Sequence, residues 1–411
     1  MQIVVIGAGI VGLTTAWSLS RDGHSVTVVD RAPGVGQGTS FANGAQLSYS
    51  YVAPMASRAV LAALPKYLFS ASSPVRYHPS FDPDQWAWLA RFLGACTDAT
   101  SAANTAKLLA LSFLSRDSLH DLARQTGIEF HHAARGKLVV QSSAASQAEA
   151  EAQMALQAAM GCAQTALTAA ECVALEPGLE SIAPRLAGGI LTPSEEVGDC
   201  WVLCVGLETH LRAAGVSFLL GQEARLVTQS QRVLGVELPS GRITADLVVL
   251  AAGTGSPALG SQAGVAIPVQ PIRGYSISPR ILSSNRAPVR SITDTARKTV
   301  YAPLGDRLRV AGFAEIGGAG AAPLDSRGAS LSHELQAIFP GACATDDLRP
   351  WTGLRPATPT GVPRIGPSPI AGLWLNLGHG ALGFTLAAGS ARLLADLLAG
   401  RTPPIAAKDY Q

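Results

Sequence analysis

The first thirty residues carry glycines at a spacing suited to binding phosphate. Three glycines follow the apolar run 3–6, which predicts a buried strand, and residues 13–20 continue with a helical pattern. The first glycine of such a turn permits the tight bend, the second lets the backbone approach a pyrophosphate, and the third lets helix and strand pack closely. The free N–H groups at the start of the helix favour negative charge. We expect this phosphate cradle to consist of Gly7, Gly9, Ile10, Val11 and Gly12.

A second strand predicted at residues 25–29 ends at Asp30, whose carboxylate can accept hydrogen bonds from a ribose. Strand, helix, strand and acid in register predict a cofactor that contains ADP. The fingerprint alone leaves two cofactors open. NAD(P) would use Arg31 for a 2′-phosphate, whereas FAD would need further glycine turns downstream.

Those further turns are present. The buried run 247–251 leads directly into Ala252 and Gly253, and a predicted strand at 373–377 leads into the glycine turn 378–383. A cofactor domain assembled from separated segments would explain this pattern. Between residues 266 and 350 the sequence alternates strands with turns, which indicates an antiparallel sheet.

The predicted fold is therefore α/β with an α+β second domain. A Rossmann-like cofactor domain would be built from residues 1–46, 198–265 and 350–411, and the substrate domain with its antiparallel sheet from residues 47–197 and 266–349.

Composition narrows the class of protein. The 411 residues are 47% hydrophobic and 15% charged, so a large core is expected. A net charge of +2 and the absence of a basic cluster argue against nucleic-acid binding. The six cysteines show no paired spacing, and the neighbouring His131 and His132 have no evident co-ligands. We therefore expect reduced thiols, a cytoplasmic location and no metal site.

The apolar segment 52–69 is interrupted by prolines and basic residues, so it is not predicted to span a membrane. Two interpretations stay open. It is either a packed segment or lid, or a contact with a membrane surface, which would place the protein on the inner face of a bacterial inner membrane.

Several motifs along the whole chain resemble the D-amino-acid oxidase and glycine oxidase superfamily of flavoproteins, and within it the bacterial D-amino-acid dehydrogenases. The resembling stretches are GHSVTVVDR (23–31), GTSFANGAQ (38–46), GDC (198–200), RGYS (273–276), WTGLRP (351–356) and NLGHGALG (376–383). The resemblance implies FAD. It implies noncovalent binding as well, since no cysteine follows Cys343 to tether a flavin.

The resemblance also assigns roles to individual residues. Arg355 would receive the carboxylate of the substrate; the alternative is a structural arginine paired with an acid. Tyr301 either contacts that carboxylate or is a core tyrosine, and Tyr275 either lines the pocket or packs in the sheet. His379 either assists at the flavin or is structural. The further residues expected at the cofactor are Asp30, Arg31, Thr39, Ser40, Asn43, Gly44, Gln46, Ala252, Gly253, Gly378, His379, Gly380, Gly383, Phe384 and Thr385.

The activity implied by the resemblance is flavin-dependent oxidative deamination of D-amino acids, with electrons passed to a quinone or other carrier. Alternatives within the superfamily are an oxidase or dehydrogenase of glycine, sarcosine or cyclic D-amino acids such as D-proline, and a subunit of an opine-oxidising or cyanide-forming complex. A flavin-binding assembly module without catalysis belongs to a different class. Preferred substrate, acceptor and oligomeric state are not fixed by the sequence.

Overall fold

Strands and helices alternate along the chain and form two large sheets with helices against them. The computed structural model describes residues 1–58, 60–61, 75–78, 81–317 and 324–411. Its strands, in chain order, are β1 Gln2–Ile6, β2 Ser25–Asp30, β3 Gln46–Leu47, β4 Val75–Tyr77, β5 Lys137–Gln141, β6 Thr165–Thr168, β7 Gly188–Thr192, β8 Glu196–Val197, β9 Ser217–Leu220, β10 Arg225–Gln229, β11 Arg232–Leu238, β12 Gly241–Thr244, β13 Leu247–Leu250, β14 Gln270–Ile277, β15 Ser291–Asp294, β16 Thr299–Leu304, β17 Arg307–Ile316, β18 Trp351–Ala357, β19 Arg364–Pro367 and β20 Leu373–Leu377. Its α-helices are α1 Ile10–Arg21, α2 Pro83–Ala95, α3 Asp98–Thr126, α4 Ala144–Ala158, α5 Ala169–Leu175, α6 Cys200–Ala213, α7 Ser256–Gln262, α8 Leu324–Ile338 and α9 Gly383–Leu398.

The first sheet has β1 near its centre, in the strand order β19-β20-β13-β1-β2-β9. Its strand pairs are parallel except for β19 with β20. Residues 3–6 of β1 are all buried, which is why this strand is a continuous apolar run in the sequence. The strands of the sheet come from residues 2–30, 217–220, 247–250 and 364–377, while β10, β11 and β12 form a separate three-stranded sheet. The predicted Rossmann-like sheet is confirmed, and the boundaries proposed for its segments stay a prediction.

The second sheet has the strand order β18-β14-β17-β16-β15-β5-β7-β6, with β4 beside β17. It differs from the antiparallel sheet expected from residues 266–349 in two ways. Three of its strands come from residues 137–192, and both β5 with β15 and β4 with β17 are parallel pairs. The sheet is therefore mixed, because strands distant in sequence complete it. A separate two-stranded ladder joins β3 to β8.

The C-terminal helix α9 packs against α1 and α3 in the core below the first sheet. Its approach to α3 is close at Gly389, where an added Cβ would lie 2.7 Å from the amide nitrogen of Ser115. The Gly389 amide donates to Ser115 Oγ at 3.0 Å. Within the described part of the chain, Gly380–Leu398 is long and apolar enough to cross a bilayer, but 67% of it is buried in the protein. We interpret it as a core helix.

The segment 52–69, predicted as a lid or a membrane contact, can be followed only at residues 52–58 and 60–61, and the rest lies outside the described residues. Val52 and Ala56 are buried within this described portion. The two interpretations of the segment therefore stay predictions.

The turn between β1 and α1 yields a test of the fold. A Cβ added at Gly12 would lie 1.8 Å from the carbonyl oxygen of Gly7. We expect Gly12→Ala to lower the free energy of unfolding by at least about 2 kcal/mol, because strand and helix must separate. Denaturant titration measures this change.

Gly94→Ala in α2 is the matched control, since no atom of the described residues lies within 4 Å of its added Cβ. This exposed helical site should gain up to about 1 kcal/mol. Equal stability of the two variants would contradict the close packing of β1 on α1.

Candidate active site

A cavity of about 1670 Å³ opens where the two sheets meet. The turns after β1, β2, β13 and β20 all line it. These turns follow the carboxyl ends of parallel strands, the edge at which open α/β sheets bind ligands. All residues predicted at the cofactor line the cavity except Gly12, which packs behind the turn.

The glycine cradle has the geometry that a dinucleotide requires. Gly7 adopts φ +119°, and a Cβ there would lie 2.3 Å from the carbonyl oxygen of Ala251. Gly9, the residue before α1, provides no side-chain cap, and its added Cβ would meet only Ser40 Oγ, at 3.4 Å. The start of α1 therefore faces the cavity with no side chain on Gly9 in the way, and its first amide, that of Ile10, donates to Ser40 Oγ at the cavity wall.

Asp30 lies at the end of β2, as predicted, and lines the cavity. Its two carboxylate oxygens accept hydrogen bonds from the amides of Ala8 and Ala32, at 2.7 and 2.8 Å. These bonds fix the carboxylate next to the cradle. A carboxylate offers about four acceptor positions, so two remain for the hydroxyls of a ribose. Arg31 is exposed at the same edge of the cavity.

The loop 39–46 is anchored to both sheets by hydrogen bonds. Thr39 Oγ1 donates to the Leu354 carbonyl, and Ser40 Oγ accepts from the Ile10 amide at 3.1 Å. The Asn43 side chain accepts from the amide of Ala45, which has φ +56°. These contacts hold the loop along the cavity wall between the cradle and the second sheet.

The turn after β20 brings backbone donors to the other end of the cavity. Gly378 and Gly380 adopt φ +85° and +55°, conformations that suit glycine. Leu382 precedes α9 and provides no side-chain cap, so the first N–H groups of the helix are open to the cavity. The positive end of the α9 dipole therefore points into the cavity.

His379 lines the cavity and is 3% exposed. Its Nε2 lies 2.8 Å from Ser390 Oγ, and that hydroxyl donates its proton to the Leu386 carbonyl. His379 therefore donates from Nε2, which assigns the Nε2–H tautomer. Burial lowers its pKa to about 3, so the imidazole is neutral. The contact anchors the turn to α9, which favours the structural interpretation.

Arg355 lines the cavity from β18, and its Nη1 donates to the Phe313 carbonyl at 2.9 Å. Its guanidinium lies against Gly274, where an added Cβ would be 2.4 Å from Nη2. Among the described residues no carboxylate forms a salt bridge with Arg355, so the alternative of a structural ion pair is not supported. Burial lowers the pKa of Arg355. An enclosed cation without a counter-ion is a site for an anionic group of a ligand.

The contact with Phe313 depends on an irregularity in β17. The pairing of β14 with β17 shifts by one residue between Arg273 and Tyr275. Phe313 lies in this bulge with φ +63°, a strained conformation for an aromatic residue. The bulge directs the Phe313 carbonyl to Arg355. The strained backbone conformation of Phe313 therefore helps to hold the guanidinium in place.

Tyr275 lines the cavity beside Arg355 and is 2% exposed. Its hydroxyl donates to Glu315 Oε2 at 2.8 Å, and Arg327 donates to Oε1 of the same carboxylate. Burial and the contact with Glu315 raise the pKa of Tyr275 to about 12, so it stays protonated near neutral pH. The residue is both a pocket wall and a packed member of the sheet.

Tyr301 is not at the cavity, which corrects its assignment as a substrate contact. The side chain is fully buried in the core, and its ring packs edge-on against Phe339 with centroids 5.3 Å apart. Its hydroxyl has no hydrogen-bond partner among the described residues. Because side chains alternate along β16, the neighbouring Val300 faces the cavity instead. The core interpretation of Tyr301 is the one that fits.

Lys137 is a cavity residue that the sequence did not single out. It begins β5, is 2% exposed, and donates from Nζ to Gln46 Oε1 at 3.1 Å and Ser48 Oγ at 3.0 Å. A lysine that directly follows a glycine, as Lys137 follows Gly136, is typical of a solvent-exposed strand end. Only the pairing of β5 with β15 brings it to the cavity.

No co-ligands for His132 were expected from the sequence, but the fold brings two candidate ligands to it, His120 and Glu196. The ligand atoms of His120, His132 and Glu196 lie within 4.8 Å of one another. His120 and His132 contact opposite oxygens of Glu196, at 2.6 and 2.8 Å. Although burial favours the neutral acid, contacts with the two histidines hold the pKa of Glu196 below its ordinary value. These direct contacts make the group a hydrogen-bonded cluster that fixes Glu196.

Comparison with known proteins identifies the family of the chain. Residues 2–397 match the model of a family described as FAD dependent oxidoreductase. The chain is 50% identical to D-amino acid dehydrogenase 2 of Ralstonia nicotianae, over 100% of this chain and 99% of that protein. It is 45% identical to D-amino acid dehydrogenase 2 of Pseudomonas aeruginosa, over 98% of this chain and 96% of that protein.

Solved structures show the same fold. Glycine oxidase from Geobacillus kaustophilus superposes with a TM-score of 0.79 at 19% identity, covering 100% of this chain and 98% of that one. L-proline dehydrogenase from P. horikoshii gives a TM-score of 0.74 at 17% identity, covering 100% and 96%. With two relatives at 45% identity or more and a family match over nearly its whole length, the chain belongs to the family of FAD-dependent oxidoreductases.

Proposed function

We propose that the protein is an FAD-dependent D-amino-acid dehydrogenase that oxidatively deaminates D-amino acids to 2-oxo acids and ammonia. The single observation that carries the proposal is Arg355, a cation inside the cavity with no carboxylate partner among the described residues. The relatives named D-amino acid dehydrogenase, at 50% and 45% identity over almost the full chain, support both the reaction and the D configuration.

The cavity residues fit FAD. A Cβ at Gly7 would collide with the Ala251 carbonyl, and the residues that precede α1 and α9, Gly9 and Leu382, provide no side-chain cap. The cradle would therefore hold the pyrophosphate, Asp30 the ribose, and the α9 N-terminus the polar edge of the flavin. FAD bound in this way supplies the acceptor for the hydride that leaves Cα of the amino acid.

The side chains orient the substrate and do not need to exchange protons with it. Arg355 would bind its carboxylate through two parallel hydrogen bonds. The apolar walls at Phe313 and Ile272 would exclude water from the reacting Cα–H bond. The amino acid would bind after its ammonium group has lost a proton to solvent, and it would then lose a hydride from Cα. The resulting imino acid then takes up water and releases ammonia.

The proposal also covers the electron acceptor, the cellular location and the assembly of the protein. The names of the relatives favour a carrier such as a quinone over oxygen. All six cysteines are buried free thiols, which supports a reducing, cytoplasmic compartment. Contact with a membrane surface and a role as one subunit of a hetero-oligomer stay predictions from the sequence.

Anaerobic reduction of the bound flavin tests the proposal. Mixing the holoprotein with D-amino acids should bleach the flavin absorbance, and their L-enantiomers should not. Glycine, N-methyl and cyclic amino acids belong in the same screen, because bleaching by these alone would replace the D-amino-acid assignment. A yellow protein that none of them bleaches would indicate a flavin-binding module without catalysis.

Reoxidation of the reduced flavin identifies the type of acceptor. An artificial quinone acceptor should restore the absorbance much faster than air does. Fast reoxidation by oxygen alone would reject the dehydrogenase in favour of an oxidase.

The anchor for the carboxylate can be removed or displaced. Arg355→Ala should lower kcat/KM by more than about 100-fold, since the substrate carboxylate loses its charged partner. Gly274→Ala should displace the guanidinium without removing it and raise KM by about 10- to 100-fold. Its cost in unfolding free energy should be small, because the clash falls on the end of a flexible side chain. Steady-state kinetics with Gly94→Ala as control checks both, and unchanged kinetics in Arg355→Ala would refute the assignment.

Two tyrosines give a further contrast. Tyr275→Phe removes a hydrogen bond to the buried Glu315 carboxylate and should lower the free energy of unfolding by about 1.5–3 kcal/mol. Tyr301→Phe removes a buried hydroxyl for which the described residues offer no partner, so the free energy of unfolding should not fall and should rise by up to about 1 kcal/mol. Denaturation and kinetics are measured on both. A large loss of kcat/KM in Tyr301→Phe would return that residue to the substrate site.

A further inference from the structure

Lys137 is a buried cation whose position the proposed substrate chemistry does not explain. Its ammonium donates to Gln46 Oε1 and Ser48 Oγ and lies 4.2 Å from the centre of the Tyr51 ring. No salt bridge joins it to a carboxylate in the part of the chain that the structure describes. Burying such a charge is costly unless another charge or a ligand compensates it, and the charge of the buried Glu195 carboxylate acts on the ammonium and compensates part of this cost.

The partners of Lys137 connect it to one end of the cavity. Gln46 and Ser48 both line the cavity with Lys137. The Ser48 amide donates to Thr385 Oγ1, at the start of α9, at 3.1 Å. The ammonium and the uncapped N-terminus of α9 therefore face the same region, so two sources of positive potential converge there.

The proposed carboxylate anchor, Arg355, lies at one edge of the second sheet, away from β5. Arg355 lies on β18, and β14, β17, β16 and β15 separate that strand from β5. With neighbouring strands about 4.8 Å apart, five strand-to-strand steps separate the two backbones by roughly 24 Å, which favours different ligands for the two cations. Lys137 is therefore assigned to the cofactor and Arg355 to the amino acid.

We propose that Lys137 supplies positive charge to the end of the cavity that holds the pyrimidine ring of FAD, and that this charge favours the reduced, negatively charged cofactor. The proposal rests on the assignment of FAD to this cavity. In a site that excludes water, a fixed charge acts strongly on charge that develops beside it. Burial lowers the pKa of Lys137 to about 8, with the Glu195 charge opposing the shift, so the ammonium form dominates at neutral pH.

The test is the equilibrium between the bound flavin and a reference redox dye at pH 7, with no amino acid present. Lys137→Met removes the charge and keeps the length of the side chain. We expect the equilibrium constant for two-electron reduction to fall at least about tenfold, equivalent to roughly 30 mV. Lys137→Gln, which can still hydrogen-bond to Ser48, should fall similarly and covers the case in which the methionine variant does not fold.

Two variants control for charge and for location. Lys137→Arg keeps the charge and should stay within about threefold of the parent protein. Lys298→Met removes an exposed lysine at the rim of the same cavity, where solvent screens it, and should change the constant by less than about twofold.

Two results for the reduction equilibrium constant would contradict the proposal. An unchanged constant in flavin-loaded Lys137→Met or Lys137→Gln would overturn the proposal. So would a loss in Lys137→Arg as large as in Lys137→Met, since that would indicate packing in place of charge. A parent protein that binds no FAD would instead refute the proposed function, so the two failures are distinguishable.

Discussion

The guanidinium of Arg355 keeps its charge inside the cavity without a carboxylate among the described residues to neutralise it. Holding a cation there requires a fixed position, and three features of the second sheet provide one. Gly274 gives the flat group room to lie against the neighbouring strand. The bulge in β17 turns the Phe313 carbonyl toward Nη1, and the pairing of β14 with β18 sets the register of both. An acid near this position would have cancelled the charge and with it the affinity for a carboxylate.

The first sheet forms the other part of the cavity, where the cofactor is expected. Its parallel strands end at one edge, so the glycine turns after β1, β13 and β20 meet along a single cavity. Helices α1 and α9 begin there, each after a residue that provides no side-chain cap, and present backbone donors to it. In the proposed complex the long cofactor would lie along these turns, and the substrate would be held from the other sheet. The reaction then depends on how well the two sheets keep their relative position, which the ladder of β3 with β8 and the loop 39–46 help to fix.

Local backbone geometry explains which features could be predicted from the sequence. The roles of Gly7 and Gly378 are encoded in contiguous residues, because each turn needs its glycines at fixed offsets. Tyr301 shows the limit of such reasoning. Neighbouring residues of a strand point to opposite faces, so an error of one position exchanges a pocket residue for a core residue. Lys137 could not be found because its contacts lie 89 and 91 residues away in the sequence.

The most direct test of the central claim compares an amino acid with its amide. The rate of anaerobic flavin bleaching is measured for D-alanine and D-alaninamide, in the parent protein and in Arg355→Ala. If Arg355 binds the carboxylate, the parent protein should prefer D-alanine by at least about 100-fold, and the variant should lose most of that preference. An equal preference in the two proteins would contradict the claim, because the carboxylate would then be recognised by another group.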